Sequence, residues 1–304
     1  MSMTPSLYRR LIPAFSASLF AAIVLVACGS EPPEDAPTMA PVDEATCDAG
    51  MIGRFDSGAD LFIAQFDARP DVDDLHAIAA VATVLADDAF ACVDHLAVAG
   101  AYGRQGGLYI PAPELFDLAF GDHWIEAHDR HQDAAAELAA LIVDRLQAGG
   151  DIWIAEAGQS DLTAATIRAA REIAPELDFA ARVHLVQHSS WNESQTDVDA
   201  LGYVREHTDY IRIPDGNAGG NGSPGFRTEG GALWPMMLAD EDVGAIWAEA
   251  KRLADANNEK AGYDNPAIGA GGFDFSDVSE TAYIFGFEDM ADVEAFAQRF
   301  IAAE

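Results

Sequence analysis

Leu61-Phe-Ile-Ala-Gln-Phe-Asp-Ala-Arg-Pro-Asp-Val-Asp-Asp-Leu75 brings two patterns together. Leu61 to Phe66 is a short apolar run of the kind buried on both faces of a parallel sheet. From Leu75 onward, Ile78, Ala79, Ala82 and Leu85 recur at helical spacing. Between them stand Asp67, Asp71, Asp73 and Asp74. Carboxylates therefore collect where a strand ends and a helix begins, the edge at which open α/β sheets bind ligands. Crowded there, they repel one another unless a cation or protons offset the charge.

Two readings of the cluster stand side by side. Asp71 suits the N-cap of the coming helix, Asp74 forms a capping-box-like pair with it, and Asp73 and Asp74 fall in the first turn, where the helix dipole favours acid. Capping does not account for Asp67, which ends an apolar strand where an unpartnered charge is costly. A divalent-metal site accounts for all four.

Outward from this stretch, strand-like runs alternate with amphipathic helices. Val93 to Gly100, Asp151 to Gly158, Arg182 to His188 and the proline-ended, edge-like Tyr210 to Pro214 read as further strands. Helical spacing covers Asp133 to Gln147, Leu162 to Ala174, Asp197 to His207 and Asp242 to Ala256, with two short helices at the end of the chain. Such alternation predicts an α/β fold, a mainly parallel central sheet with helices on both faces. The strand ends gather Gly100 to Gly107, Glu156 to Asp161, His188 to Glu193 and Asp215 to Asn217. Polar residues at one sheet edge point to a small-molecule pocket with an oxygen-ligated cation. The Gly100–Gly107 segment lacks the spacing of a phosphate or dinucleotide loop. Asp215 to Phe226, rich in Gly and Asn, reads either as a surface turn or as a lid over the pocket.

The N-terminus carries an address. Arg9 and Arg10 precede the apolar stretch Leu11 to Val26, which ends in Leu25-Val26-Ala27-Cys28. This resembles a bacterial lipoprotein signal, so residues 1–27 are expected to be removed and Cys28 to become a lipidated first residue. Ordinary secretion or a short membrane anchor are the rivals. Gly29 suggests, by analogy with lipoprotein sorting, the outer membrane. Residues 28–48 read as an acidic, Pro-rich tether, and 49–304 as one α/β domain. Cys47 and Cys92 either pair or stay free thiols. With 51 acidic and 17 basic residues the net charge is −34, which argues against nucleic-acid binding. Oligomeric state is left open.

Phe66-Asp-x-x-Pro-Asp-Val-Asp-Asp74 resembles the N-terminal aspartate signature of the nucleoside hydrolase superfamily. Ile152-Trp-Ile-Ala-Glu-Ala-Gly-Gln-Ser-Asp-Leu-Thr163 is similar to its second motif, Ser190-Trp-Asn192 to its sugar-holding segment, and Phe273-Asp-Phe-Ser-Asp277 to the source of its late aspartate. The resemblance implies a hydrolase of N-glycosidic (nucleoside) or related sugar bonds, dependent on Ca2+. It implies a metal shell of Asp67 and Asp74, with Asp71 or Asp73 as a further ligand or sugar-hydroxyl contact, completed by a backbone carbonyl near Ser160 or Asp161 and the carboxylate of Asp274 or Asp277. The cation would hold the sugar hydroxyls and polarise a water, and Asp67 or Asp71 would act as catalytic base. Asp73, Trp191, Asn192, Glu193, Asn217 and His188 would bind substrate. Two departures stand out. Arg69-Pro70 replaces small residues, placing an arginine to pair with Asp71 or with an anionic substrate group. No histidine precedes Asp274 or Asp277, so His188, His184 or His123 would protonate the leaving group. A tethered protein that binds a sugar or nucleoside without hydrolysing it fits the same residues. A metal-dependent phosphohydrolase fits less well, because no Asp-x-Asp-x-Thr element is present.

Overall fold

The computed structural model describes residues 49–302. The expected signal peptide, Cys28, the expected tether and Cys47 lie outside these residues. Cys92 is disulfide-bonded.

The apolar runs do form strands: β1 (Leu61–Phe66), β2 (His95–Ala99), β3 (Trp124–Glu126), β4 (Ile152–Ala157), β5 (Val183–Gln187) and β6 (Asp209–Arg212). They pair in the order β3-β2-β1-β4-β5-β6, every pair parallel. The proline-ended strand lies at one edge, as its sequence predicts. The other edge is the three-residue β3, which is too short to show a period of its own.

Helices α1 (Asp73–Ala86), α2 (Pro113–Phe120), α3 (His131–Ala148), α4 (Asp161–Ile173), α5 (Ser190–Gln195), α6 (Val198–His207), α7 (Gly244–Asn257), α8 (Ser279–Phe285) and α9 (Val293–Phe300) follow in sequence. Side chains of a strand point alternately to opposite faces, and β1 divides its side chains accordingly. Phe62, Ala64 and Phe66 enter the core built with α1, α2 and α7, while Leu61 and Ile63 enter the core built with α3 and α4. Both faces are therefore covered, which is why these strands read as continuous apolar runs rather than alternating ones.

This topology fixes where a site can form. From β1 the chain winds outward to β2 and β3, then returns to the other side of β1 to lay down β4, β5 and β6. The loops leaving β1 and β4 thus diverge, opening a crevice at the carboxyl edge between them. Opposite it, a short antiparallel pair, Arg227–Thr228 with Phe273–Asp274, presents the late acidic segment to the same edge. It is docked on α1 by the Asp274 N–H, which donates to His76 Nδ1 at 3.3 Å.

Packing on the α1 face centres on Trp247 of α7, which is fully buried and donates from Nε1 to Thr83 Oγ1 at 2.9 Å. Replacing Trp247 with alanine is expected to lower unfolding free energy by about 3–5 kcal/mol. Urea denaturation checks this; a loss below about 1 kcal/mol would contradict such a tightly filled core.

Candidate metal centre and ligand pocket

The turn after β1 is organised by one side chain. Asp74 Oδ2 accepts the backbone N–H of Asp67 at 3.1 Å and of Ala68 at 2.5 Å. Ala68 is held at φ 46°, a left-handed conformation that a non-glycine residue adopts at a cost of about 1 kcal/mol. The helix itself is not capped by a side chain: Val72 is its N-cap residue and makes no capping bond. The capping role read for Asp71 is therefore corrected, and Asp74 bonds backward to the strand exit instead. Asp74 Oδ1 is buried with no hydrogen-bond partner.

Asp73, Asp74 and Asp277 each offer one carboxylate oxygen within 4.8 Å of the others, and all three are buried. Burial raises their pKa values well above the ordinary carboxylate range, and neighbouring carboxylates add to the effect. An oxygen-only set with an orphaned acceptor fits a hard divalent cation. The buried cluster can hold a metal ion.

The remaining expected residues divide clearly. Asp67 borders the pocket, but its carboxylate already accepts from Arg69 N–H at 2.9 Å, Gln105 Nε2 at 2.9 Å and Gln159 Nε2 at 3.2 Å. Burial raises its pKa to about 8 against those bonds. Asp71 lines the pocket and is only half-buried, its pKa raised chiefly by desolvation. Of the two late aspartates, Asp277 joins the cluster. Asp274 stands behind it, bonded by Asn265 Nδ2 at 2.7 Å and Ser276 Oγ at 2.8 Å and ion-paired with Arg227 at 3.2 Å. Asp161 is drawn away from the pocket: its oxygens accept the Asp197 N–H at 3.3–3.4 Å. Glu193 is turned outward, held by Arg205, Arg212 and Tyr210. Neither side chain lines the pocket.

A pocket of about 320 Å³ opens over the cluster. Asp67, Asp71, Asp73, Asp215 and Asp277 give it an acidic lining, completed by His188, Trp191, Asn192 and Asn217. Asn192 is buried and Trp191 is 43% exposed, leaving its ring available to a ligand. Asn217, from the Gly/Asn-rich loop, lies 3.4 Å from His188 Nε2 and accepts from Ser276 Oγ at 3.1 Å. That loop thus contributes a pocket residue, as a lid would.

Of three histidines considered, only His188 enters the site. His184 lies near the start of β5, paired with Asp209 and stacked on Trp153, and His123 stacks on His95 just before β3. Both belong to the opposite, amino-terminal edge of the sheet. Glu280 Oε1 accepts from both the backbone N–H and the Nδ1 of His188, at 2.8 and 2.7 Å. Burial alone would lower the His188 pKa; Glu280, helped by Asp277, reverses this and raises it to about 9.

Arg69 pairs with no carboxylate among the described residues. Its Nε donates to Gly106 O at 3.0 Å and its guanidinium lies 4.7 Å from the Tyr102 ring. Pairing with Asp71 is therefore not what holds it.

Several residues escaped the sequence reading. Gln105, Gln159 and Gln187 are buried amides with no motif to announce them. Glu280 did leave a signal, since it is the single charge in the otherwise uncharged stretch Ser279–Phe285, and an acid there needs a partner. No family model, curated protein or solved structure matches this chain. No helix among the described residues is long and apolar enough to cross a membrane.

The raised carboxyl pKa values dictate a pH response. Below about pH 4 these groups are protonated whether folded or unfolded, so they add no penalty. As pH rises toward the folded Asp67 value of about 8, the unfolded chain ionises while the folded one resists, and stability falls. Chelator-treated protein is thus expected to lose melting temperature from pH 5 to pH 8, with an excess of a bound divalent cation restoring it. Asp277→Asn should flatten both responses in a thermal melt; an unchanged cation response in that variant would remove Asp277 from the centre.

Proposed function

We propose that this protein is a divergent nucleoside-hydrolase-like enzyme, cleaving N-glycosidic or related sugar bonds with a Ca2+ ion held by Asp73, Asp74 and Asp277. The observation that carries this reading is the convergence of three buried carboxylates beneath a pocket walled by Asn192, Asn217 and Trp191. When bound, the cation would offset the carboxylate repulsion and orient a sugar diol and the attacking water.

The chain's own residues supply the rest. Asp71, the half-buried carboxylate of the pocket, is the base that takes the proton of water. Asp67, fixed by its three donors, borders the sugar and favours the positive charge that develops at the anomeric carbon. Asn192 and Asn217 hold hydroxyls, and Trp191 offers its face to the leaving base. His188, on the pocket wall with its Nδ1 held by Glu280, is the acid that protonates the departing base. In this reading the protein acts in the bacterial envelope, anchored by a lipid on Cys28, on nucleosides or glycosides that reach it there.

A second reading, a sugar- or nucleoside-binding protein without turnover, draws on Phe273 and Ser276, which precede the two late aspartates where some family members use a histidine acid. Calorimetry with Ca2+ and assays of sugar release from a nucleoside panel separate the two. Hydrolysis is expected in the wild type, with Asp277→Asn and Asp74→Ala each at least about tenfold weaker in Ca2+ binding and turnover. Asp277→Asn guards against misfolding of Asp74→Ala, whose side chain also holds the β1 turn. Tight ligand binding without sugar release establishes the second reading. Absence of divalent-cation binding sinks both.

A further inference from the structure

A second cavity, of about 600 Å³, shares Arg69 with the metal pocket. Its other walls include Leu108, Tyr109, His128 and Asn257, and neither Asp nor Glu lines it. That is unusual in a chain of net charge −34. Two acids lie close behind its wall: Asp129, 3.5 Å from His128 Nε2 and largely exposed, and Glu126, whose charge reaches Tyr109. The walls are braced: the Tyr109 ring stacks on His128 at 4.1 Å, and the Tyr102 hydroxyl bonds to His128 Nδ1.

Arg69 stands at the boundary of the two cavities. The Tyr102 ring beneath it and the Gly106 carbonyl at its Nε fix the plane of the guanidinium. Four of its five N–H donors lie beyond that Nε bond, and no carboxylate takes them. The other arginine on the inner pocket, Arg227, is already paired with Asp274. An oriented fork without an acid partner matches the oxygen pair of a carboxylate or phosphate.

We infer that the outer cavity receives the leaving group of the substrate, and that this leaving group carries an anionic oxygen pair read by Arg69. The inference rests on the glycosidase reading, which places the sugar over the buried carboxylates. An anion could not sit among Asp67, Asp71, Asp73 and Asp277, whose field repels it. Just past Arg69 the acidic lining ends, and the guanidinium is the charged group that borders the outer cavity. Tyr109 and Leu108, the latter 54% exposed, then offer apolar surface to the planar part of the same group.

Uridine and orotidine test this, since they differ by one carboxylate on the base. With the full-length protein and excess Ca2+, calorimetry should show orotidine binding about tenfold more tightly, the effect of one charge-assisted bidentate contact. Arg69→Met, which keeps an unbranched apolar stem without the guanidinium, should abolish that preference while leaving uridine affinity within about twofold. Arg69→Lys, with charge but no fork, should retain part of it. Equal binding of the two ligands to the wild type overturns the inference and leaves the glycosidase reading standing. So does an Arg69→Met protein that weakens both ligands alike, or that changes only Ca2+ affinity, because Arg69 would then merely offset the acidic cluster. Binding of neither ligand overturns the inference together with the reading beneath it.

Discussion

The Asp74 carboxylate does two jobs that pull in opposite directions. One oxygen takes the N–H groups of Asp67 and Ala68 and so holds the exit of the central strand in a left-handed turn. The other is buried without a partner, beside Asp73 and Asp277. A fully charged Asp74 binds its two amides best, yet full charge is what its acidic neighbours oppose. The turn and the cluster are therefore one object. A cation that offset the cluster's charge while leaving Asp74 ionised would also tighten the turn from which the pocket is built.

The size of that opposition sets the logic of the site. Two ionised carboxylates at this separation repel by about 3 kcal/mol or more at an effective dielectric of about 20. The fold places three cations around this pocket, Arg69, Arg227 and His188, and the last two are already engaged. Arg227 pairs with Asp274, and His188 is held at 2.7 Å by Glu280, which accepts from its backbone as well. Arg227 serves an acid outside the cluster, and His188 divides its charge between Glu280 and Asp277, whose Oδ1 lies 3.5 Å from its Nε2. Asp73, Asp74 and Asp277 stay under-compensated, a state that ordinary structural ion-pair networks avoid.

How much of this could be read in the chain depends on the range of the interaction. The central strand and α1 announce themselves because burial on both faces demands apolar runs, and Leu61–Phe66 and Leu75–Leu85 comply. Strand β3 and helix α2 stayed hidden because three residues show no period and Pro113–Phe120 sits in a glycine-rich stretch. The aspartate cluster was visible as a cluster, but local sequence offered capping as an equal account, and only the absence of a side-chain cap at Val72 separates the two. Choosing Asp277 over Asp274 needed the three-dimensional positions of Arg227 and Asn265. The same holds for His188 over His184 and His123, which differ in which edge of the sheet they occupy. Asp161 and Glu193 misled because their motifs put them next to the site in sequence, while Asp197 and Arg205 draw their side chains away.

The groups that do hold the acids point the same way. Asp67 accepts from Gln105 and Gln159; Gln159 in turn reaches Asn192, Asn192 reaches Gln187, and Gln187 donates to the buried Glu156. Each link is an amide, which supplies donors without adding charge. Burial raises Glu156 to about 7 even with Ser160, Thr163 and Gln187 bonded to it, so this network orients carboxylates but does not neutralise them. Had lysine or arginine filled these positions, the acids would be satisfied internally and indifferent to an added cation. Amides instead fix their geometry and leave the negative field intact. That combination, orientation without compensation, is what a divalent cation requires of a protein.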